Sequence, residues 1–173
     1  MESVTKQVKR LWPHALDRSV TNTRAKHPEL WKLSRKRDRL SDSVRIFAAM
    51  AVEAFINFYG IIRLGEAEYT EHFERLGIVP KLRVLLLVCD SISLGTSDQL
   101  VVSLRRIADE RNTLVHPKAK ELPRNVPAKG RGGARIPDSA REAVADMKKF
   151  FQEFGEAVPG VRHLLPAEQR PKK

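Results

Sequence analysis

Residues 41–64 read SDSVRIFAAMAVEAFINFYGIIRL, and the spacing of apolar side chains in this stretch decides the fold class. Val44, Phe47, Ala48, Ala51, Phe55, Phe58 and Ile62 return at steps of three and four, the repeat of one helix face. Gly65 follows at the point where a helix C-terminus favours a residue that tolerates positive φ. A long helix over Ser41–Leu64 is therefore expected, with that face turned to the core. Its greasy part, Ile46 to Ile62, carries Glu53 and Asn57 and is shorter than the ~20 apolar residues that cross a bilayer.

Working outward, the rest of the chain has the same period. Pro28 suits the first position of a short helix over Pro28–Lys32, which runs into the basic cluster Arg35-Lys36-Arg37-Asp38-Arg39 beside Trp31. An acidic helix is expected from Glu66 to Leu76, its carboxylates Glu66, Glu68, Glu71 and Glu74 forming a solvated face. A third helix, Pro80 to Ile92, has a leucine-rich middle that predicts burial nearly all round. Asp98 reads as an N-cap for a fourth helix reaching Val115, with Leu100, Leu104 and Ile107 inward. Ser139-Ala140-Arg141-Glu142 is a capping box that opens a last helix. The stripe of that helix is Ala143, Val144, Met147, Phe150, Phe151 and Phe154, and it ends before Pro159. No segment shows the alternation of half-buried strands. The fold expected is all-α, an antiparallel up-and-down bundle of four to five helices with one long basic loop. Its parts are basic N-terminal short helices over 1–40, the bundle over 41–157 with the loop 117–137 inside it, and a frayed tail over 158–173.

The chain has 173 residues and a net charge of +11, with a single cysteine. This length can bury one core unaided, and one cysteine excludes a disulfide framework and a cysteine zinc cage. Cys89 ends the apolar run Val84–Val88 and reads as a buried thiol in a reducing compartment. The N-terminus lacks a signal-peptide core. A cytoplasmic protein with no membrane segment is the expectation. Residues 1–45 have a net charge of +7, residues 46–116 of −2 and residues 117–173 of +6. Basic flanks around a near-neutral core make polyanions the natural class of partner. His14, His27, His72 and His163 have no metal-ligand spacing between them, and no metal or cofactor is expected.

Chemistry concentrates in residues 105–118, Arg-Arg-Ile-Ala-Asp-Glu-Arg-Asn-Thr-Leu-Val-His-Pro-Lys. Arg111 follows Ile107 by one turn, so on a regular helix it points along the apolar face and needs an anionic partner, internal or a ligand. Pro117 disfavours the helical conformation at His116, which lets the imidazole leave the helix line and turn toward Arg111 or toward a second copy. A histidine titrating near neutrality can take a 2′-hydroxyl proton or give one to a leaving 5′-oxygen. An arginine fork can hold the phosphate between them. Such a set would suit phosphodiester cleavage in RNA. One histidine per chain cannot act as acid and base at once, so a symmetric dimer is the economical arrangement.

Arg111-Asn112-x-x-x-His116 at the end of a bundle helix, followed by Pro117-Lys118 and preceded by a long helix carrying Glu53-Ala54-Phe55-Ile56-Asn57, resembles the HEPN superfamily. The resemblance covers roughly Ser41 to Lys118 and, more loosely, the last helix. It implies a helical bundle whose homodimer brings two Arg–His motifs to one cleft. It also implies a metal-independent endoribonuclease of the toxin–antitoxin, abortive-infection or CRISPR type. Carried over by position, Arg111 and His116 are the catalytic pair, Asn112 the polar helper, and Glu53 and Asn57 orient the pair from the neighbouring helix. The partners implied are RNA, a second copy and an antitoxin protein. Some members carry a modifiable tyrosine two positions after the histidine; here that position is Lys118. In the loop, Lys118, Arg131 and Arg135 suit weak phosphate contacts. The other reading is a non-catalytic module of the same kind that binds RNA or a protein partner, in which Arg111 pairs with Glu53 structurally.

Overall fold

The computed structural model describes residues 28–115 and 136–165. Among them the chain is all-α, with five helices and no strand: α1 Pro28–Leu64, α2 Glu66–His72, α3 Ile78–Asp90, α4 Gln99–Val115 and α5 Ile136–Ala157. A 3₁₀ turn, Pro159–Val161, follows α5. The expected helical bundle is present. Helix α1 is its spine, packing chiefly on α5 and also touching α2, α3 and α4.

The first correction concerns α1. A short helix followed by a second one from Ser41 was expected, with a division at residue 40. The structure has one 37-residue helix across that point. No glycine or proline interrupts it between Pro28 and Gly60, and the intervening Leu, Arg and Lys are good helix formers. The inward face continues as Leu30, Arg37, Ser41, Ala48, Val52, Phe55 and Tyr59, all buried. Two of these are polar, so a hydrophobic reading sees a gap where the face goes on. Arg37 is 7% exposed and finds its partners locally, in Asp38 Oδ1 at 2.8 Å and Ser34 Oγ at 3.3 Å.

The second correction is rotational. Of the apolar stripe read from residues 44–62, Ala48 and Phe55 are buried, while Phe47, Ala51, Phe58 and Ile62 are exposed and Val44 is half-buried. Ala49, Val52, Ile56 and Tyr59 fill the interior in their place. With apolar residues on most of its circumference, α1 offers two faces, and the packing of α5 selects one. Phe55 and Tyr59 meet that helix edge-to-face, with ring centroids 5.1 Å (Phe55–Phe154), 5.2 Å (Phe55–Phe151) and 5.2 Å (Tyr59–Phe154) apart, the geometry favoured by ring quadrupoles. The α5 stripe is as expected, with Ala143, Phe150, Phe151 and Phe154 buried and Val144 and Met147 partly so.

Helix α3 is half-buried rather than enclosed. Leu82, Leu85 and Leu86 are inside, but Val84, Leu87 and Val88 are exposed. Asp98 occupies the N-cap position of α4 by its backbone, its carbonyl accepting from Val102 N–H at 2.9 Å. Its carboxylate turns back to accept from Gly95 N–H. The tail was expected to fray after residue 157. Instead Val158, Val161 and Leu165, at most 4% exposed, belong to the core. Three apolar residues separated by Pro159 and Gly160 do not show helical periodicity, yet the 3₁₀ turn aims them all inward.

Gly60 sets the crossing of α2 over α1. A Cβ there would stand 2.6 Å from two ring carbons of Tyr69 and 3.2 Å from Leu85 Cδ1, so only glycine admits that ring. Gly65 has φ 88° and turns the chain between the two helices. By length and composition α1 passes the test for a membrane span: its 18-residue window has mean hydropathy 1.5, with 39% of that window buried. The expectation of a stretch too short to cross a bilayer rested on Ile46–Ile62 alone, and the continuous helix is longer. A core helix packed inside a protein passes the same test.

Candidate active site

Helix α4 places the predicted chemistry. Leu100, Val101, Leu104 and Ile107 are buried and fix which way the last two turns face. Polar contacts fasten the same helix to its neighbours. Ser103 Oγ donates to Glu153 Oε2 on α5 at 2.8 Å, Arg106 Nε pairs with Asp146 at 3.1 Å, and Arg45 on α1 stands 3.7 Å from Glu110. Arg111, one turn beyond Ile107, is consequently held over α1 at the level of Glu53.

The contact made there is loose. Arg111 Nη2 lies 3.8 Å from Glu53 Oε2, with the two side chains 38% and 35% exposed. That is within Coulombic reach but beyond hydrogen-bond distance, and an ion pair this exposed is worth at most about 1 kcal/mol. Among the described residues Arg111 makes no hydrogen bond, so its fork stays available to an anion. Asn112 lies beside it and is exposed. The expected partnership of Glu53 with Arg111 is thus present as proximity without a tight bridge.

Asn57 is not brought to Arg111. Its Oδ1 accepts from Tyr69 Oη at 2.7 Å and from Lys81 Nζ at 2.9 Å. Lys81 is 3% exposed, donates also to the Glu74 carbonyl at 3.1 Å, and sits 5.6 Å from the Tyr69 ring centroid. The orienting role expected of Asn57 is therefore not supported by its surroundings, since its acceptor is already engaged one turn away on another helix pair. His116, Lys118, Arg131 and Arg135 lie outside the described residues.

Two polar clusters were not singled out by sequence reasoning. One is Lys81–Asn57–Tyr69, where a lysine is buried on neutral oxygens. The other ties the end of α1 to the end of α3. Tyr59 Oη donates to Asp90 Oδ2, and Arg63 Nη2 donates to Asp90 Oδ1 at 2.8 Å and to the Cys89 carbonyl at 2.5 Å. Burial, and then the Asp90 carboxylate, push the Tyr59 phenol well above its ordinary range. Burial also raises the Cys89 thiol, against the opposing pull of Arg63. The sequence signal was thin in both cases: Lys81 and Asp90 sit at turn-proximal ends of α3, where charged residues are usually solvated.

A shallow groove of about 450 Å³ runs beside the Arg111 turn, lined by Arg45, Arg105, Arg106, Asp109, Glu110 and Thr113. Its mixed charge favours no single ligand. Among the described residues no group of three or more His, Cys, Asp or Glu is placed to hold a metal ion. No family profile, curated protein or solved structure matches the chain.

Proposed function

We propose that this protein is a metal-independent, HEPN-type endoribonuclease, cytoplasmic and homodimeric, that acts in defence or as the toxin of a toxin–antitoxin pair. The observation that carries the reading is Arg111. It is a permanent cation on the last turns of α4, held against Glu53 without a hydrogen bond, five positions before His116. In the proposed reaction His116 takes the proton of a ribose 2′-hydroxyl. The 2′-oxygen attacks the adjacent phosphorus, and the P–O5′ bond breaks. His116 of the partner subunit gives its proton to the leaving 5′-oxygen, leaving a 2′,3′-cyclic phosphate and a 5′-hydroxyl. Arg111 binds the non-bridging oxygens as negative charge gathers on them, and Glu53 limits where the guanidinium can swing. The basic flanks raise the local concentration of RNA by long-range attraction.

The competing reading, a non-catalytic module, has one observation in its favour: Glu53 already faces Arg111 and would serve a purely structural pair. Incubating the purified full chain with RNA in excess EDTA separates the two. Cleavage should occur, and His116→Ala and Arg111→Ala should each lower it by 10²-fold or more while the circular-dichroism spectrum stays unchanged. RNA that is bound and never cut would establish the non-catalytic reading instead.

A further inference from the structure

The face of α1 that the core does not use has an order of its own. Phe47, Ala51, Ala54, Phe58 and Ile61 are all exposed, at steps of four, three, four and three. That is the heptad spacing of a helix seam built to pack on another helix. Phe47 is 65% exposed, Phe58 51% and the flanking Met50 50%. Together with Leu40, Ile61 and Ile62 they present roughly 600 Å² of apolar surface per copy, taking about 200 Å² for each full side chain. That is at the upper end of what a monomer leaves bare, and more than half of the ~800 Å² each partner contributes to a standard interface.

The order of side chains identifies the occupant. Read in either direction from a centre between positions 52 and 53, the seam runs small (Ala51, Ala54), aromatic (Phe47, Phe58), aliphatic (Val44, Ile61). A face that reads the same from both ends complements itself antiparallel about a two-fold axis, which is what an isologous interface requires. Charge agrees. The N-terminal half of α1 exposes Arg35, Lys36 and Arg39, whereas Glu66 and Glu68 follow its C-terminus. Parallel pairing would set the basic ends against one another. Antiparallel pairing brings the basic half of each copy toward the acidic end of the partner's helix.

We propose that two copies of this chain pair antiparallel through this exposed face of α1, with Phe47 packed against Phe58 of the partner subunit and Ala51 against Ala54 of the partner subunit. The two alanines at the centre let the helices approach closely, and the aromatic rings close the seam at either side. The proposal stands on exposure and spacing and does not need the ribonuclease reading.

Sedimentation velocity on the full chain at tens of micromolar should give twice the chain mass of 19.7 kDa. Ala51→Glu and Phe58→Glu, on surface positions, should halve it with helix content and melting temperature retained. In a Cys89→Ser background, an oxidised mixture of Ala51→Cys and Ala54→Cys proteins should cross-link at least tenfold faster than either protein alone. A wild-type chain that sediments as a monomer overturns the proposal, as does faster cross-linking by Ala51→Cys alone, which would mean parallel pairing. Co-flotation of a monomer with phosphatidylcholine–phosphatidylglycerol vesicles, abolished by Ala51→Glu, would overturn it in favour of a lipid surface.

Discussion

Replacing Gly60 by alanine tests the close packing of α2 on α1. The residue is helical, so the substitution adds one methyl group and relieves backbone entropy, which alone would stabilise the helix by about 1 kcal/mol. The added carbon, however, would lie 2.6 Å from two carbons of the Tyr69 ring and 3.2 Å from Leu85 Cδ1. Overpacking of that kind costs about 1–3 kcal/mol. Tyr69 cannot simply tilt away, because its hydroxyl donates to Asn57 at 2.7 Å, and losing that bond costs about 0.5–1.5 kcal/mol more. A net destabilisation of about 1–3 kcal/mol follows. With a urea m-value of about 1–3 kcal/mol/M, the unfolding midpoint should fall by roughly 1 M at an unchanged slope. Gly60→Ala in a Tyr69→Ala background removes the ring and should recover the helix-propensity gain, so the two costs would be clearly less than additive. An unchanged or higher midpoint for Gly60→Ala would refute the close approach of α2 to α1.

Asn57→Leu should destabilise by about 1–3 kcal/mol, since it leaves the buried Lys81 ammonium and the Tyr69 hydroxyl without their shared acceptor; thermal melts check this, and an unchanged melt would count against the cluster. Glu53→Gln should change stability by less than about 1 kcal/mol and tighten RNA binding, because Arg111 loses a competing anion; filter binding at two salt concentrations reads the second effect. Tyr59 has a folded-state pKa raised above its ordinary value of about 10. In alkali the unfolded chain therefore releases the phenol proton first, so the stabilisation is complete below about pH 10 and is lost as pH rises through the folded value. Urea midpoints between pH 9 and 11 should fall more steeply for wild type than for Tyr59→Phe, and equal slopes would mean that burial and the Asp90 carboxylate do not raise the Tyr59 phenol.

Helical period made the fold class legible, and the α5 stripe from Ala143 to Phe154 could be assigned inward side chain by side chain. The same signal failed on α1 because it carries information only where a helix has one apolar face. With Phe47 and Phe58 on one side and Val52 and Ile56 on the other, periodicity could not say which side meets α5. Arg37 and Ser41 hid the continuity of the helix by placing polar groups on its inward line. At the site, spacing put Arg111 on the inward line of α4 in need of an anion, while its pairing with Glu53 was named through the family resemblance and the structural alternative to it. The engagement of Asn57 with Lys81 could not, since it joins residues 24 apart across a turn whose path no local pattern specifies.

The principal packing partner of α1 is α5, and the two stand far apart along the chain. At 5–20 residues per second, a ribosome that has finished Leu64 needs about 5–20 s more to reach Ala157. Throughout that interval a 37-residue helix has neither its inward aromatic line nor its outward seam covered. Nascent chains on one message would meet through the outward seam before any of them could close its core. Holdase chaperones that bind exposed apolar helices, and the rate at which codons 65–157 are read, are therefore expected to govern how much of this protein reaches its folded state.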